Sequence, residues 1–310
     1  MSADSVGSVG GAGVTGGAGV IHNIGYRSYD GQRLGRAQIV RALTWHSLRS
    51  AFGLGRGTKA KIVPVLTFVA ICLPAVISAV VVALNSQHTR PISYDVYVPQ
   101  LRIFVLIVFI AAQAPDLVSR DLRSHCLPLY FARPIRRIDY PVAKMIAFFV
   151  ALLVMIEVPL LLLYLGTVAQ LHTGTQIWHE TKALIPGLLL GVAWALVLGV
   201  LGLLFASFSG RRAYATGAVA IFFFLSLTLA TLLVHIGQQP GGGGQGLAKL
   251  AGLISPFTVL DGARQWLGGT TLGIVPNPGG DGALYGLMFG VFLALGIGGL
   301  VLRYRKVGVA

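Results

Sequence analysis

Six apolar stretches, each long enough to cross a lipid bilayer, constrain this chain more than any motif does. A helix needs about 20 mostly apolar residues to span about 30 Å of hydrocarbon. The stretches that qualify run from about Ile62 to Leu84, Tyr97 to Ala114, Val142 to Leu165, Ala183 to Phe208, Ala213 to Ile236 and Ala283 to Leu302. The second is the weakest, with Arg102 near one end and Gln113 near the other. Composition points the same way. Of the 310 residues, 55% are hydrophobic and 11% are charged, where a soluble domain carries about 25% charged residues. A water-soluble globule is excluded, and so is a disordered chain, which needs low hydrophobicity and high charge density. The fold class expected is an all-α membrane protein with six transmembrane helices.

Orientation follows from the cations. Lys and Arg number 24 against 10 Asp and Glu, a net charge of +14. Nineteen of those cations fall in the N-terminal segment, the loop between spans two and three, the turn between spans four and five, and the C-terminal tail. The other loops and one span edge hold Arg90, Arg102, Lys182, Lys249 and Arg264. Basic loops stay in the cytoplasm, so both termini are expected there, in a multi-pass protein of the cell membrane. The same asymmetry explains the net charge without nucleic acid as a partner; the partner it implies is the lipid bilayer.

Residues 1–34 read as a disordered glycine-rich tail, without the basic start of a signal peptide. Residues 35–61 read as an amphipathic interfacial helix and linker, and 62–306 as the transmembrane domain. Cys72, in a span, and Cys126, in a basic loop, read as ordinary thiols. Tyr94, Tyr97, Trp178 and Trp266 fall near expected outer ends of spans, and Trp45, Tyr214 and Tyr304 near inner ones, as interfacial aromatics do. Gly187 and Gly191, then Gly286 and Gly290, are small residues at a spacing that lets membrane helices approach closely.

Four features lie outside this pattern. In Gly35–Phe52, the residues Val40, Leu43, Ser47, Leu48, Ala51 and Phe52 form an apolar stripe at helical spacing, flanked by Arg36, Arg41 and Arg49. Such a helix should lie flat on the membrane surface, either as an anchor or as a lever touching a cytoplasmic partner. The loop Asp116–Lys144 is far longer than the usual connection of about 2–8 residues. It sets Leu122, Leu127, Leu129, Tyr130 and Phe131 among arginines, which is the make-up of a docking surface or, more plainly, of a solvated basic loop. The outward stretch Gly237–Gly282 begins as a glycine linker and continues as two short amphipathic segments, either half-inserted or lying on the surface. Last, Glu157 stands in the middle of the third span, two residues before Pro159. An ionisable group at that depth faces the bundle interior or a wet cavity, as a structural residue or as part of a translocation path.

Catalytic and nucleotide-binding signatures are missing. GLGRGTKA at Gly53–Ala60 has Thr before Lys59 and Ala after it, so it is not a phosphate-binding loop. No HExxH, GxSxG or paired metal-ligand spacing occurs in the sequence, and the chain reads as non-catalytic, with no cofactor of its own.

The run PDLVSRDLRSHCLPLYFARPIRRIDYPVAK at Pro115–Lys144 resembles the first cytoplasmic loop of ABC-2 type transporter permeases. SPFTVLDGARQWLGG at Ser255–Gly269 is similar to that family's segment ahead of the last span. The resemblance covers residues 20–306, and the N-terminal GVIHNIGYRSYDGQRLGR looks like actinobacterial versions. It implies a permease subunit, an exporter by family habit, paired with a second permease and with a separate ATPase subunit that carries ATP and Mg. In that family a short coupling helix transmits the ATPase stroke; here it would be Ser119–Cys126. Arg120, Asp121 and Arg123 would make polar contacts to the ATPase, and Leu122 would seat in its groove. Re-entrant helices would correspond to Leu247–Ile254 and Phe257–Leu267. The alternative from the residues is a six-span secondary transporter using Glu157 for ion coupling.

Overall fold

The computed structural model describes residues 31, 35–84, 92–97, 103–124, 130, 135–239, 244–269, 274–275 and 279–307. Several expectations fall outside them: the tail up to residue 34 apart from Gly31, positions 98–102 of the second span, positions 125–129 with Cys126, and positions 241–243 of the glycine tract. The regular structure is helical: α1 (Arg36–Ala51), α2 (Lys59–Leu84), α3 (Ile103–Arg123), α4 (Asp139–Val168), α5 (Gly174–Ser207), α6 (Arg212–Gln238), α7 (Gly244–Ala251), α8 (Pro256–Trp266) and α9 (Gly282–Val307), with 3-10 turns at Tyr94–Val96 and Gly279–Asp281. Six of them, α2 to α6 and α9, are long and apolar enough to cross a membrane.

The spans are longer than expected, because their polar ends stay helical. The fourth starts at Gly174 instead of Ala183. The second does not stop at Ala114: α3 runs through Pro115 to Arg123 without a break. The coupling segment expected as a separate helix from Ser119 is therefore, as far as it is described, the last turn of the second span. Asp116, Ser119 and Asp121 all find partners inside the bundle, so the helix has no need to end where polar residues begin.

α3 is the central element, packed on α5, α6, α2 and α1. Leu106, Ile107, Phe109, Ile110, Ala114 and Leu117 are all buried on it. α4 packs on α5, α2 and α1, and α9 on α5 and α8. The outer faces of α2, α6 and α9 are apolar and open, with Leu66 66%, Ile221 64% and Leu287 63% exposed. Patches of this extent on long apolar helices are surface for lipid.

Between membrane helices the attraction is van der Waals contact, which small residues bring close. A Cβ at Gly187 would press on Tyr94, and one at Gly191 would overlap the Glu157 carboxylate, as the spacing suggested. The sixth span differs from expectation. Gly290 has open space around it, whereas Gly296 and Gly299 lie close against Val200 and Leu204 of α5, and Gly282 against Trp266 of α8.

The aromatic layout also needs correction. Trp45, Trp178, Tyr214 and Trp266 are exposed, but Tyr94, Tyr97 and Tyr304 are buried. A phenol can leave the interface when its hydroxyl has a partner inside: Tyr97 donates to the Ile71 carbonyl at 2.8 Å and Tyr94 to Glu180 at 3.2 Å.

The apolar stripe of α1 exists as read, but it faces protein and not lipid. Leu43, Ser47 and Ala51 are buried, with Val40, Leu48 and Phe52 packed around them, and the helix lies on α4 and α3. Gly53 turns the chain toward α2 at φ +68°, where a Cβ would run into the Ala60 carbonyl.

The two short amphipathic segments of Gly237–Gly282 form α7 and α8. Ser255 caps α8 by accepting from the Phe257 N–H, and Pro256 fills its first turn. α7 lies on α6, and α8 is buried against α9, α5 and α6.

Candidate functional site at the basic end of the bundle

The C-terminal ends of α3, α5 and α9 meet the N-terminal ends of α4 and α6 at one end of the bundle. Three aspartates hold them together. Asp116 on α3 accepts from Arg56 Nη1 ahead of α2 and pairs with Arg212 Nε at the start of α6, both at 3.0 Å. Asp139, the first residue of α4, accepts from Arg36 Nε at 2.7 Å and from Arg36 Nη2, which fastens α1 to the third span. The Arg136 backbone N–H reaches the same carboxylate at 2.8 Å. Hydrogen bonding to Asp139 raises the pKa of Arg36 above its ordinary value.

Asp121 is the third. Its Oδ2 accepts from Tyr140 Oη at 2.8 Å and lies 2.8 Å from Lys144 Nζ. Lys144 is 6% exposed and sits over the Tyr140 ring. That ring in turn contacts Tyr130 and Tyr304. Ser119 Oγ donates to the Ala206 carbonyl of α5 at 2.8 Å, and Arg303 Nε of α9 donates to the Ser207 carbonyl at 3.3 Å. The tip of α3 is thus linked directly to the segment ahead of α2, to α4, α5 and α6, and through α5 to α9.

The four coupling candidates divide. Arg120 and Arg123 are exposed. Leu122 is half-buried and packs on the core. Asp121 turns inward, with its polar contacts made within the chain. Sequence reading placed Lys144 among the loop cations and gave Asp116, Asp139 and Tyr140 no role. A signal was available: in a chain with only 10 acidic residues, three stand in or beside one basic loop.

Glu157 does not join this cluster. It lies on α4 against Gly191 of α5, and both its carboxyl oxygens are buried without a hydrogen-bond partner among the described residues.

The opposite end carries a second network. Asp261 on α8 accepts from Arg264 Nε and Nη2 at 3.2 and 2.9 Å, and from the N–H groups of Ile274 and Val275 at 2.7 and 3.2 Å. Arg264 Nη1 reaches on to Asp95 at 2.7 Å. Beside this pair, a cleft of about 570 Å³ opens between α5, α8 and α9, walled by Leu189, Leu260, Trp266 and Phe289.

A family model described as "ABC-2 family transporter protein" matches residues 23–305. No curated protein sequence matches the chain.

Proposed function

The chain belongs to the ABC-2 transporter family as a multi-pass membrane permease subunit, and from that premise we propose that it exports its substrate by pairing with a separate ATPase subunit at the basic end. ATP and Mg belong to that partner. A second permease, identical or related, completes the path, and both termini lie in the cytoplasm under a cell membrane. The observation that carries the reading is the division at the tip of α3: Arg120 and Arg123 point out while Asp121 holds in.

The division suits a transmitter. A load applied to the exposed arginines reaches α4 through the Asp121 contacts with Lys144 and Tyr140, and α5 through Ser119. Closure of two ATPase subunits would then shift the population between two arrangements of the bundle. This assigns Asp121 to the permease side of the joint, where the sequence reading had set it against the ATPase. The driving force is ATP, in preference to ion movement through Glu157, because family membership supports the first, whereas the second rests on one carboxyl that is unpartnered among the described residues.

Affinity purification of the tagged chain from the membranes of its native host, in mild detergent, tests the proposal. Stoichiometric recovery of an ATP-hydrolysing subunit is expected. Recovery of the permease alone, with no ATPase activity, would overturn it.

A further inference from the structure

A groove of about 1280 Å³ runs between the end of α3 and the start of α6. Arg123, Arg211 and Arg212 stand at its mouth, and Ala112, Leu122, Thr216 and Gly217 line the rest. Arg211 lies over the Tyr214 ring, and Arg212 shares Asp116 with Arg56. Arg123 and Arg211 make no ion pair among the described residues, and no described acidic residue lines the groove. Its charge is therefore positive at one level and absent below.

Depth decides what fits. At 1.5 Å per residue, Ala112 lies about 16 Å along α3 from the level of Arg123, and Gly217 about 7 Å along α6 from Arg212. Those positions are on spans, within the apolar layer. A water-soluble partner can reach the arginines but has no means of filling the space beneath them. A free phosphate would leave that space unused. A molecule already in the membrane, anionic at the interface and apolar below, matches both levels.

We propose that this groove is a binding site for one anionic membrane phospholipid. Its phosphate sits between Arg211 and Arg212, with Arg123 at the rim, the glycerol and first acyl carbons against Thr216 and Gly217, and the acyl chain running on toward Ala112. The space beside Gly217 is open, since a Cβ there would meet nothing within 4 Å, so a bulky side chain at this position would occupy the groove. The site goes beyond the pairing with an ATPase and does not depend on it.

The test uses the full chain alone, in detergent micelles doped with phosphatidylglycerol or with phosphatidylcholine, read by native mass spectrometry. Phosphatidylglycerol should be retained at least about tenfold better. Each basic residue near a membrane surface contributes about 1 kcal/mol toward anionic lipid, so R211Q with R212Q should cut retention roughly thirtyfold. G217L should abolish retention with the charge unchanged, while G217A keeps it. R211Q alone serves if the double variant fails to fold, with a loss of roughly fivefold. Equal retention of the two lipids, unaltered binding in G217L, or displacement of the lipid by inorganic phosphate would each overturn the proposal. Because no ATPase is present, none of these results bears on the subunit pairing.

Discussion

Lys144 and Asp121 meet at 2.8 Å across the joint between the second and third spans, 6% and 18% exposed. A buried pair of this kind adds little over an apolar replacement of both, but losing one partner strands the other charge, at about 3–5 kcal/mol. Lys144→Met alone should therefore lower the melting temperature of the purified permease sharply. Adding Asp121→Asn should recover part of the loss, giving a clear coupling in a double-mutant cycle. Additive losses would mean that the two residues act independently.

Arg120→Glu with Arg123→Glu changes only exposed side chains, so melting of the permease should move by no more than a degree or two. Co-purification of the ATPase should fall at least about tenfold, since reversed rim charges weaken encounter and docking. Asp121→Asn combined with Lys144→Met, which strands neither charge, should do the opposite: it keeps the ATPase bound and lowers transport per ATP hydrolysed, which a transport assay in proteoliposomes separates.

Glu157→Gln is the mildest change available at mid-span. The carboxyl oxygens have no partner among the described residues to lose, so stability should hold within about 1 kcal/mol and export should continue. Gly191→Leu drives a side chain into that carboxyl and should cost several-fold in folded yield, measured by size-exclusion chromatography. Loss of export in Glu157→Gln, with the ATPase still attached, would instead place this residue on the translocation path.

Asp261 accepts two backbone N–H groups and the Arg264 guanidinium while fully buried. Asp261→Ala takes an acceptor from each of those donors, at about 1–3 kcal/mol for each bond lost, while Arg264 keeps Asp95. Limited proteolysis should then cut between α8 and α9 many times faster than in the parent chain, and Asp261→Asn should fall between the two.

Membrane helices announce themselves through length and hydropathy, and all six were legible for that reason. So was the stripe on α1, whose six residues are the ones that pack. What it packs against was not legible, because an apolar face reads the same whether lipid or protein covers it. The same ambiguity hid Tyr94, Tyr97 and Tyr304, which have interfacial composition and buried positions. At the basic end the sequence reading treated the charges of the loop as facing out, whereas Asp121 pairs inside the chain. Whether Asp121 points to a partner or to Lys144 depends on helix phase, and Pro115 disguised the continuity of α3 that sets that phase.

Both ends of the molecule carry buried and open ion pairs: Lys144 with Asp121 and Arg264 with Asp261 are buried, whereas Arg36, Arg212 and Asp281 pair while open to water. At the basic end Arg36 and Arg212 remain 46% and 61% exposed while paired, so water competes for them and they can exchange. At the other end Arg264 and Asp261 are 3% and 0% exposed, and Arg264 joins residues 169 positions apart in the chain through Asp95. Salt should therefore loosen the open pairs first and leave the tie between Arg264 and the Tyr94–Val96 turn in place.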